Sequence, residues 1–451
     1  MSTSTPVSFT LRDSKLFRHV RPLGPDDYEA WDDLLVSSYG DPGPPVPDWR
    51  DEEHREVVNY AYGLYVDGRL AATTVVRPIR LVHGERLIPG TLITAVATHP
   101  EHRRCGHAAT MFRELLEVIR ESRHHISILY PFSFAFYRKL GWEHVADFVS
   151  YEIPLSALPP VEAMPGRTRT VARGRPRERV QVDKVDVERL DDVYRRYARR
   201  YSGMIERDDA WWRRRVLRAG KELTHTALWE DAGGRPGAYA VYSMGPMGTY
   251  PKDITVRELA AVSSEARRGI LGFLKGHEAQ FLNLKVNLPL ADPLVFCLDN
   301  PRVERKLLAR HMLRLVDVPA ALEAMAEPEP GFEAGVVLSV SDPVCPWNEG
   351  DWLVEARQGR VTVRPAASWP VRPVAPTGAA STEFALASLP RVELNVTALA
   401  QITGGFLSPE SAAEMAKLGA SAGGEAAQDP AATAILAKLF GRRPSYVFDA
   451  F

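Results

Sequence analysis

The chain has 451 residues, of which 45% are hydrophobic and 25% are charged, so a disordered chain, a collagen-like repeat and a coiled coil are excluded. Its 56 lysines and arginines almost balance its 57 aspartates and glutamates, and the net charge of −1 gives no overall attraction to nucleic acid or to an acidic membrane. Three scattered cysteines and the lack of a long apolar run argue against a disulfide framework, a zinc site, a signal peptide and a membrane span, so we expect a cytoplasmic protein with no metal, no nucleic-acid partner and no membrane partner.

Strand and helix patterns alternate along the first unit and predict an α/β fold class. An early strand ends at Val20-Arg21-Pro22. A hairpin then joins Tyr62–Val66 to Leu70–Val76, because the intervening Asp67-Gly68 suits a type I′ turn. The remaining predicted elements are the long strand Leu87–Val96, the helix Ala108–Ile119, the buried strand Ile126–Tyr130 and the short helix Ser133–Leu140.

Composition divides the rest of the chain into two further units. Residues 156–177 are rich in proline and arginine and are predicted to form a linker. Beyond it, a helix near Val187–Arg200 and strands at Thr226–Glu230 and Tyr239–Ser243 repeat the order of the first unit, which is typical of a duplicated domain. The third unit begins near Arg302. Its predicted strands are Gly335–Ser341, Asp351–Glu355 and Arg360–Val363.

The stretch that carries chemistry lies between the long strand and the helix of the first unit. Unpaired amide groups at a helix start, with the helix dipole behind them, form an anion site. Gly106 and Ala108 have small or no side chains and would let a diphosphate approach the main chain, while Arg103 and Arg104 add positive charge. The segment therefore predicts a pyrophosphate-binding site.

The spacing Arg103-x-x-Gly106-x-Ala108 resembles the acetyl-CoA signature of the GNAT acetyltransferase superfamily, and Phe134–Trp142 resembles its second strand–helix segment. Two such units followed by a third α/β unit with an aromatic tail are similar to the Eis (enhanced intracellular survival) family. The resemblance covers nearly the whole chain. It implies an α/β (α+β) fold with tandem GNAT folds and a sterol carrier protein-like C-terminal domain. The implied domains are a catalytic GNAT domain at 15–155, a second GNAT-like domain without a CoA site at 156–301 and the sterol carrier protein-like domain at 302–451.

The resemblance also implies an N-acetyltransferase whose co-substrate is acetyl-CoA. Acetyl transfer needs a base for the amine and an acid for the departing thiolate. Tyr137 falls on the family's general-acid tyrosine, and the C-terminal carboxylate of Phe451 falls on the family's general base. The alternatives are that Tyr137 packs in the core and that the tail packs or frays.

Backbone amide groups of the central strand are expected to polarise the thioester carbonyl and to hold the pantetheine arm. The cofactor-binding residues implied by family position are Val96, Thr98, Arg103, Arg104, Gly106, His107 and Ala108. His99, His102 and His107 lack the spacing of metal ligands, which is a second reason to expect no metal. In the second unit, Ser263-Ser264-Glu265 starts a helix without a glycine loop, and this favours a scaffold role.

The acceptor is expected to be a small-molecule amine bound near the first helix and the chain end. Trp31, Tyr39 and Asp449 are the candidate substrate-binding residues, because aromatic rings and carboxylates suit a polycationic amine. Trp31 could equally be a core residue. The resemblance implies aminoglycoside-like polyamines as acceptors, with antibiotic resistance as the consequence, and a homo-oligomer, namely a hexamer. The alternatives are a protein-lysine acetyltransferase and a lipid-binding protein that uses the C-terminal domain.

Overall fold

The computed structural model describes residues 19–40, 58–159, 166–175, 180–218, 222–245, 252–298, 303–368, 388–415, 429–440 and 443–449. The strands are β1 (Val20–Pro22), β2 (Ala61–Val66), β3 (Arg69–His83), β4 (Arg86–Thr98), β5 (Ile126–Leu129), β6 (Glu143–Pro154), β7 (Arg167–Gly174), β8 (Ser202–Ile205), β9 (Thr224–Glu230), β10 (Pro236–Met244), β11 (Asp253–Ala261), β12 (Asn283–Pro289), β13 (Glu304–Leu315), β14 (Ala334–Ser341), β15 (Gly350–Arg357), β16 (Arg360–Pro365) and β17 (Arg391–Asn395). The α-helices of five residues or more are α1 (Tyr28–Tyr39), α2 (His107–Glu121), α3 (Phe134–Arg138), α4 (Lys184–Ala198), α5 (Ser264–Lys275), α6 (Val318–Met325), α7 (Val396–Thr403), α8 (Pro409–Glu414) and α9 (Pro430–Leu439), and a short helical segment spans residues 209–216.

One continuous sheet runs through the first two units, and a separate four-stranded sheet lies in the third. The large sheet has the order β1-β2-β3-β4-β5-β13-β6-β12-β11-β10-β9-β7, with β8 paired to β3, and the small one has the order β16-β15-β14-β17. The predicted hairpin is confirmed between β2 and β3, where Asp67 and Gly68 have φ values of 48° and 77°. The predicted α/β (α+β) class is also confirmed.

The predicted start of the third unit, at residue 302, does not coincide with a break in the sheet. β13 pairs antiparallel with β5, where Met312 lies opposite Leu129, and with β6, where Glu304 lies opposite Glu152. β13 therefore completes the large sheet, and the third unit begins after it. The neighbours of a strand are set by tertiary pairing, which its own sequence does not specify.

The predicted linker at 156–177 contains a strand. Residues 167–174 form β7, which pairs antiparallel with β9 at the edge of the large sheet, and Thr168 lies opposite Trp229. Prolines and arginines are common on edge strands, because an edge strand needs no second ladder of hydrogen bonds. The composition that predicted a linker thus belongs in part to an edge strand.

A buried ion pair joins β13 to the third unit. Arg314 and Asp342 are both fully buried, and Arg314 Nη2 donates to both carboxylate oxygens of Asp342 at 2.8 and 2.7 Å. Gly141 makes room for this pair, because a Cβ at that position would lie 2.4 Å from Arg314 Nη1. Removing one partner of a buried pair leaves the other charge without compensation.

We expect Arg314→Met to lower the free energy of unfolding by about 3–5 kcal/mol, because Asp342 would stay buried as an unpaired carboxylate. Urea unfolding followed by circular dichroism measures the loss. The matched control is Arg391→Met, which removes an exposed pair with Asp351 and should cost less than about 1 kcal/mol. Equal losses in the two variants would contradict the expectation.

Candidate active site

The parallel strands β4 and β5 separate part of the way along their length. Their pairing runs only from Gly90 opposite Ile126 to Ile93 opposite Leu129, whereas β4 continues to Thr98. β5 ends at Leu129, so β4 has no partner on β5 from Thr94 to Thr98, and we call this unpaired edge of β4 beside the end of β5 the wedge. An extended ligand could enter this wedge and pair with β4 as an additional strand would.

A β-bulge marks the start of the wedge. Ala95 and Val96 lie together opposite Thr74 of β3, since the register shifts between Val75–Thr94 and Thr73–Ala97. Ala95 has a φ of 49°, in the left-handed region that only a few per cent of non-glycine residues adopt. Bulges of this kind redirect a strand and are frequent beside functional sites. The main chain at Val96 and Thr98, which the sequence assigns to cofactor binding, lies on this redirected part of β4.

The start of α2 leaves its amide groups without a side-chain cap. Gly106 is the N-cap residue, with a φ of 83° and no capping hydrogen bond, and a Cβ at that position would meet no atom within 4 Å. Arg104 also has a positive φ of 62°, and Arg103 Nε donates to the Thr98 carbonyl at 3.3 Å. The loop thus presents free helix amides next to two cations, which is an arrangement suited to a diphosphate.

The corresponding helix of the second unit differs in this respect. At the start of α5, the Ser263 hydroxyl accepts a hydrogen bond from the Ala266 amide at 3.1 Å, and Glu265 adds a negative charge to the first turn. Arg267 is buried and paired with Asp292 at 2.7 Å. The Ala266 amide and the Arg267 side chain, which could otherwise bind an anion, are already bound by Ser263 and Asp292. This supports the predicted scaffold role of the second unit.

The three histidines beside Gly106 pack against one another. The rings of His99 and His102 are 5.8 Å apart, and those of His102 and His107 are 5.6 Å apart, both edge to face. Throughout the described ranges, no group of three or more His, Cys, Asp or Glu side chains is arranged to hold a metal ion. Cys105 has an exposed thiol, which donates to the Arg103 carbonyl at 3.5 Å.

Tyr137 lies on α3, which directly follows the strand that forms one side of the wedge. Its side chain is only 1% exposed and packs among aromatic rings, with ring centres 5.0 Å from Phe136, 5.3 Å from Phe132 and 6.2 Å from Trp142. Burial raises the pKa of Tyr137, and the neighbouring phenol of Tyr39 raises it further. The Tyr137 hydroxyl therefore keeps its proton near neutral pH.

A cavity of about 640 Å³ lies between the first two units and the C-terminal tail. Arg77 on β3 and Thr94 on β4 contribute to its wall, and the second unit contributes residues of β11 and of the helical segment around Trp211. Phe448 and Asp449 of the tail close it. Since Thr94 immediately precedes the bulge, the cavity reaches the point at which β4 leaves β5.

The second unit holds the tail. The Tyr446 amide donates to the Ser202 carbonyl at 2.9 Å, and the Phe448 ring stacks on Tyr197 with centres 5.5 Å apart. These contacts bring Phe448 to the cavity wall. Phe451, the predicted base, lies outside the described residues, two positions beyond Asp449.

Asp449 is bound to the protein itself. Its Oδ1 accepts hydrogen bonds from Arg207 Nη2 at 3.0 Å and from Trp211 Nε1 at 2.9 Å, and Arg207 also forms two bonds with Glu258 at 2.7 and 2.8 Å. Burial raises the pKa of Asp449, and the charge of Arg207 opposes that rise. Asp449 therefore lies on the cavity wall, as the sequence predicts, and also anchors the tail.

The other two candidate substrate-binding residues lie in different places. The Tyr39 side chain is exposed, and its hydroxyl donates to the Val96 carbonyl at 2.8 Å, which brings it to the bulge. Trp31 packs with Leu34 and Ala97 in a small hydrophobic cluster and does not line the cavity. The interpretation of Trp31 as a core residue therefore fits its position better than substrate binding does.

Several cavity residues were not found from the sequence. Trp211 lines the cavity and donates a hydrogen bond to Asp449 of the tail, although an apolar residue in a helical segment indicates only core packing. Arg257 and Glu258 interrupt the otherwise apolar run of β11, and such a charged pair inside a strand is the one signal that could have marked them. Arg310 lies on β13, whose position next to the cavity depends on the sheet order.

Comparisons with known proteins agree with this architecture. Residues 19–145 and 203–315 each match the family described as acetyltransferase (GNAT) domain, and residues 318–447 match the sterol carrier protein domain. An uncharacterized N-acetyltransferase of Streptomyces avermitilis is 28% identical over 373 residues, which are 76% of this chain and 84% of that protein. N-acetyltransferase Eis of Mycobacterium bovis is 27% identical over 331 residues, which are 71% of this chain and 74% of that protein.

The same fold occurs in solved structures. Eis1 from Mycobacterium abscessus superposes with a TM-score of 0.72 at 20% identity, over 96% of this chain and all of that one. A GCN5-related N-acetyltransferase from Anabaena variabilis superposes with a TM-score of 0.78 at 20% identity, over 96% of this chain and 99% of that one. Two acetyltransferase domains followed by a sterol carrier protein domain thus account for nearly the whole chain. The protein is thus an acetyl-CoA-dependent N-acetyltransferase with two GNAT domains, and over most of its length it is similar to the N-acetyltransferase Eis.

Proposed function

We propose that the protein acetylates a primary amine of a small molecule held in the 640 Å³ cavity. Acetyl-CoA would lie with its pantetheine arm along Val96 and Thr98 and its diphosphate on the amides of α2, next to Arg103 and Arg104. His107 and Ala108 begin that helix and complete the predicted pyrophosphate site. The observation that carries the proposal is that Thr94, the first residue of β4 beyond its last pair with β5, lines the cavity.

The reaction is a direct attack of the amine nitrogen on the thioester carbonyl. A C–N bond forms, the C–S bond breaks, and the sulfur leaves as a thiolate that needs a proton. We assign that proton to the Tyr137 hydroxyl, since burial keeps it protonated near neutral pH. The thiolate of CoA, with a reference pKa near 8.5, is stabilised by this proton donation.

The proton released by the attacking amine needs an acceptor. We assign it to the carboxylate at Phe451, because the described tail already brings Phe448 and Asp449 to the cavity wall. A chain-terminal carboxylate has a reference pKa of about 3.5, and a poorly solvated position raises it toward the range of a useful base. Glu258 and the Asp449 side chain are less suited to this role, because both are bound to Arg207.

The resemblance to the Eis family extends the proposal to aminoglycoside-like polyamines as acceptors, to a role in antibiotic resistance and to a homo-hexamer in the cytoplasm. The charges of the cavity, which are considered below, favour a different kind of amine. A protein-lysine acetyltransferase and a lipid-binding protein remain the alternatives.

In the described part of the chain, none of the helices has both the length and the apolar character needed to cross a bilayer.

The purified full-length chain should release CoA thiol from acetyl-CoA when an acceptor amine is added. A thiol reagent follows the release, and mass spectrometry identifies the acetylated product. The acceptors should include an aminoglycoside, a polyamine, small amino compounds and a lysine-containing peptide. Transfer to the peptide alone would favour the protein-lysine alternative, and retained lipid without CoA affinity would favour the lipid-binding one.

Replacing Gly106 by alanine should weaken acetyl-CoA binding far more than it weakens the fold. The Cβ would stand in open space in the free protein, yet it would occupy the approach to the α2 amides. We expect the KM for acetyl-CoA to rise by about tenfold, a change worth about 1.4 kcal/mol of binding.

Gly68→Ala is the matched control for this variant. Gly68 has a φ of 77°, and a Cβ there also meets no atom within 4 Å, but it lies in the β2–β3 turn. Both variants carry the same backbone strain, of about 1 kcal/mol. A similar KM for acetyl-CoA in the two variants would show that Gly106 does not contact the cofactor.

A further inference from the structure

The cavity is lined by more positive than negative side chains. Its arginines are Arg77, Arg214, Arg215, Arg218, Arg257 and Arg310, and its carboxylates are Glu222, Glu258 and Asp449. Six arginines against three carboxylates give the described lining an excess of three positive charges, in a chain whose net charge is −1. A cleft lined by one sign of charge concentrates ligands of the opposite sign.

Two of the three carboxylates share one buried arginine of the protein. Arg207 is fully buried and binds Glu258 through both of its terminal nitrogens and Asp449 through one of them. The Tyr239 hydroxyl also donates to Glu258. Glu258 is therefore poorly placed to receive the ammonium groups of a polycation, and Asp449 offers them only Oδ2, which has no hydrogen-bond partner among the described residues.

Two of the lining arginines form no ion pair with any of the described residues, namely Arg257 and Arg310. Arg257 donates to the main-chain carbonyls of Val216 and Arg218, which carry no net charge. Burial lowers the pKa of Arg257, the charge of Glu258 opposes that change, and the charge of Arg207 adds to it. Glu258 is already bound through both of its carboxylate oxygens by Arg207.

Arg310 is held by an aromatic ring. Its guanidinium carbon lies 4.8 Å from the centre of the Phe148 ring, and its buried Nε has no hydrogen-bond partner within the described ranges. A guanidinium presents five N–H donors in a planar fork that matches a carboxylate or a phosphate. An anionic group in the cavity would supply the charge and the acceptors that these two arginines lack.

We propose, on the basis of the function assigned above, that the acceptor is a primary amine that also carries an anionic group, either a carboxylate or a phosphate. Arg257 and Arg310 bind the anion, and the amine lies toward Thr94, where the thioester would meet it. A polycation would instead have to place ammonium groups among guanidinium groups, and that repulsion selects against it.

Matched pairs of acceptors that differ only in the anion test this proposal. Lysine is compared with cadaverine, its decarboxylated form, and glucosamine 6-phosphate is compared with glucosamine. An aminoglycoside serves as the polycation. With the full chain and saturating acetyl-CoA, kcat/KM should be higher for the anionic member by about tenfold or more, the ratio expected for one charged contact. The pair with the larger ratio tells whether a carboxylate or a phosphate is recognised.

The variants Arg257→Gln and Arg310→Gln should each raise KM for the member that carries the anionic group, whereas KM for the member without it should fall, because each variant removes a repelling charge. Arg310→Lys keeps the charge and should retain part of the preference. Arg235→Gln is the control, because Arg235 is exposed in the β9–β10 turn and does not line the cavity. Thermal stabilisation by each acceptor in the presence of CoA gives a second measurement that does not require turnover.

The outcomes separate the two levels of the proposal. Turnover of the aminoglycoside with no preference for anionic amines overturns the anionic acceptor while the acetyltransferase function stands. Preference for the anionic members that is lost in both glutamine variants supports it. If no amine is acetylated, the proposed function fails. Binding of the anionic group is then decided by thermal stabilisation: it is supported if only the compounds that carry the anionic group stabilise the wild type and they do not stabilise the variants, and it is overturned otherwise.

Discussion

Replacing Tyr137 by phenylalanine should lower kcat by about 100-fold or more and leave the KM for acetyl-CoA nearly unchanged, because general acids contribute 10²–10⁴-fold. The substitution removes one hydroxyl and keeps the ring that packs against Phe136 and Trp142. Burial raises the pKa of Tyr137, so this group stays protonated at higher pH than a free tyrosine does. The wild-type rate should therefore show no decline from Tyr137 as the pH rises to about 10, the ordinary tyrosine value.

Tyr201→Phe is the matched control, because Tyr201 is also a buried tyrosine but lies in the second unit, where its hydroxyl contacts that of Tyr197 at 3.4 Å. Thermal melting of both variants shows whether the loss of a hydroxyl has a purely structural cost. A Tyr137→Phe enzyme with nearly wild-type kcat would assign Tyr137 to core packing and leave the acid to be found elsewhere.

Adding three residues, Gly-Ser-Gly, after Phe451 should reduce kcat/KM by about 10²–10⁴-fold, the usual contribution of a general base. The extension moves the terminal carboxylate by up to about 10 Å, at 3.3–3.6 Å per residue. The fold should be retained, because the residues that anchor the tail, Tyr446, Phe448 and Asp449, are untouched. Steady-state kinetics measure the loss of kcat/KM, and a melting curve on the same preparation shows whether the fold is retained.

The control for the chain end is Phe451→Leu, which keeps a carboxylate at the same position and should retain most of the activity. If the leucine variant is inactive while the extended chain works, the side chain rather than the carboxylate is required. Full activity of the extended chain at every pH would rule out the chain end as the base.

Predictions that rest on neighbouring residues were confirmed. Asp67-Gly68 forms its turn because the two residues adopt positive φ values that few other pairs tolerate. α2 begins and ends within two residues of its expected limits, and its apolar positions Met111, Leu115 and Val118 are all buried. Such features depend on the local chain, so the sequence alone contains the information.

Predictions that depend on distant segments were less complete. The placement of β13 between β5 and β6 and the pairing of β7 with β9 could not be derived, since every strand has two edges and several possible partners. The same holds for Arg207, which lies 51 residues from Glu258 and 242 residues from Asp449. Trp31 is of a residue type that often binds ligands, but its side chain packs in a small hydrophobic cluster.

The amino-acid sequence by itself determined the order of the elements, the glycine at the start of α2 and, through the resemblance these residues carry, the GNAT domains and the N-acetyltransferase activity. Only the tertiary structure decided that the first two units share one sheet, that the tail is clamped beside Arg207, and that the cavity is lined by more arginines than carboxylates. The reason is physical. A turn or a cap is set by the backbone preferences of a few consecutive residues, whereas the charge of a cavity is the sum of side chains that only folding brings together.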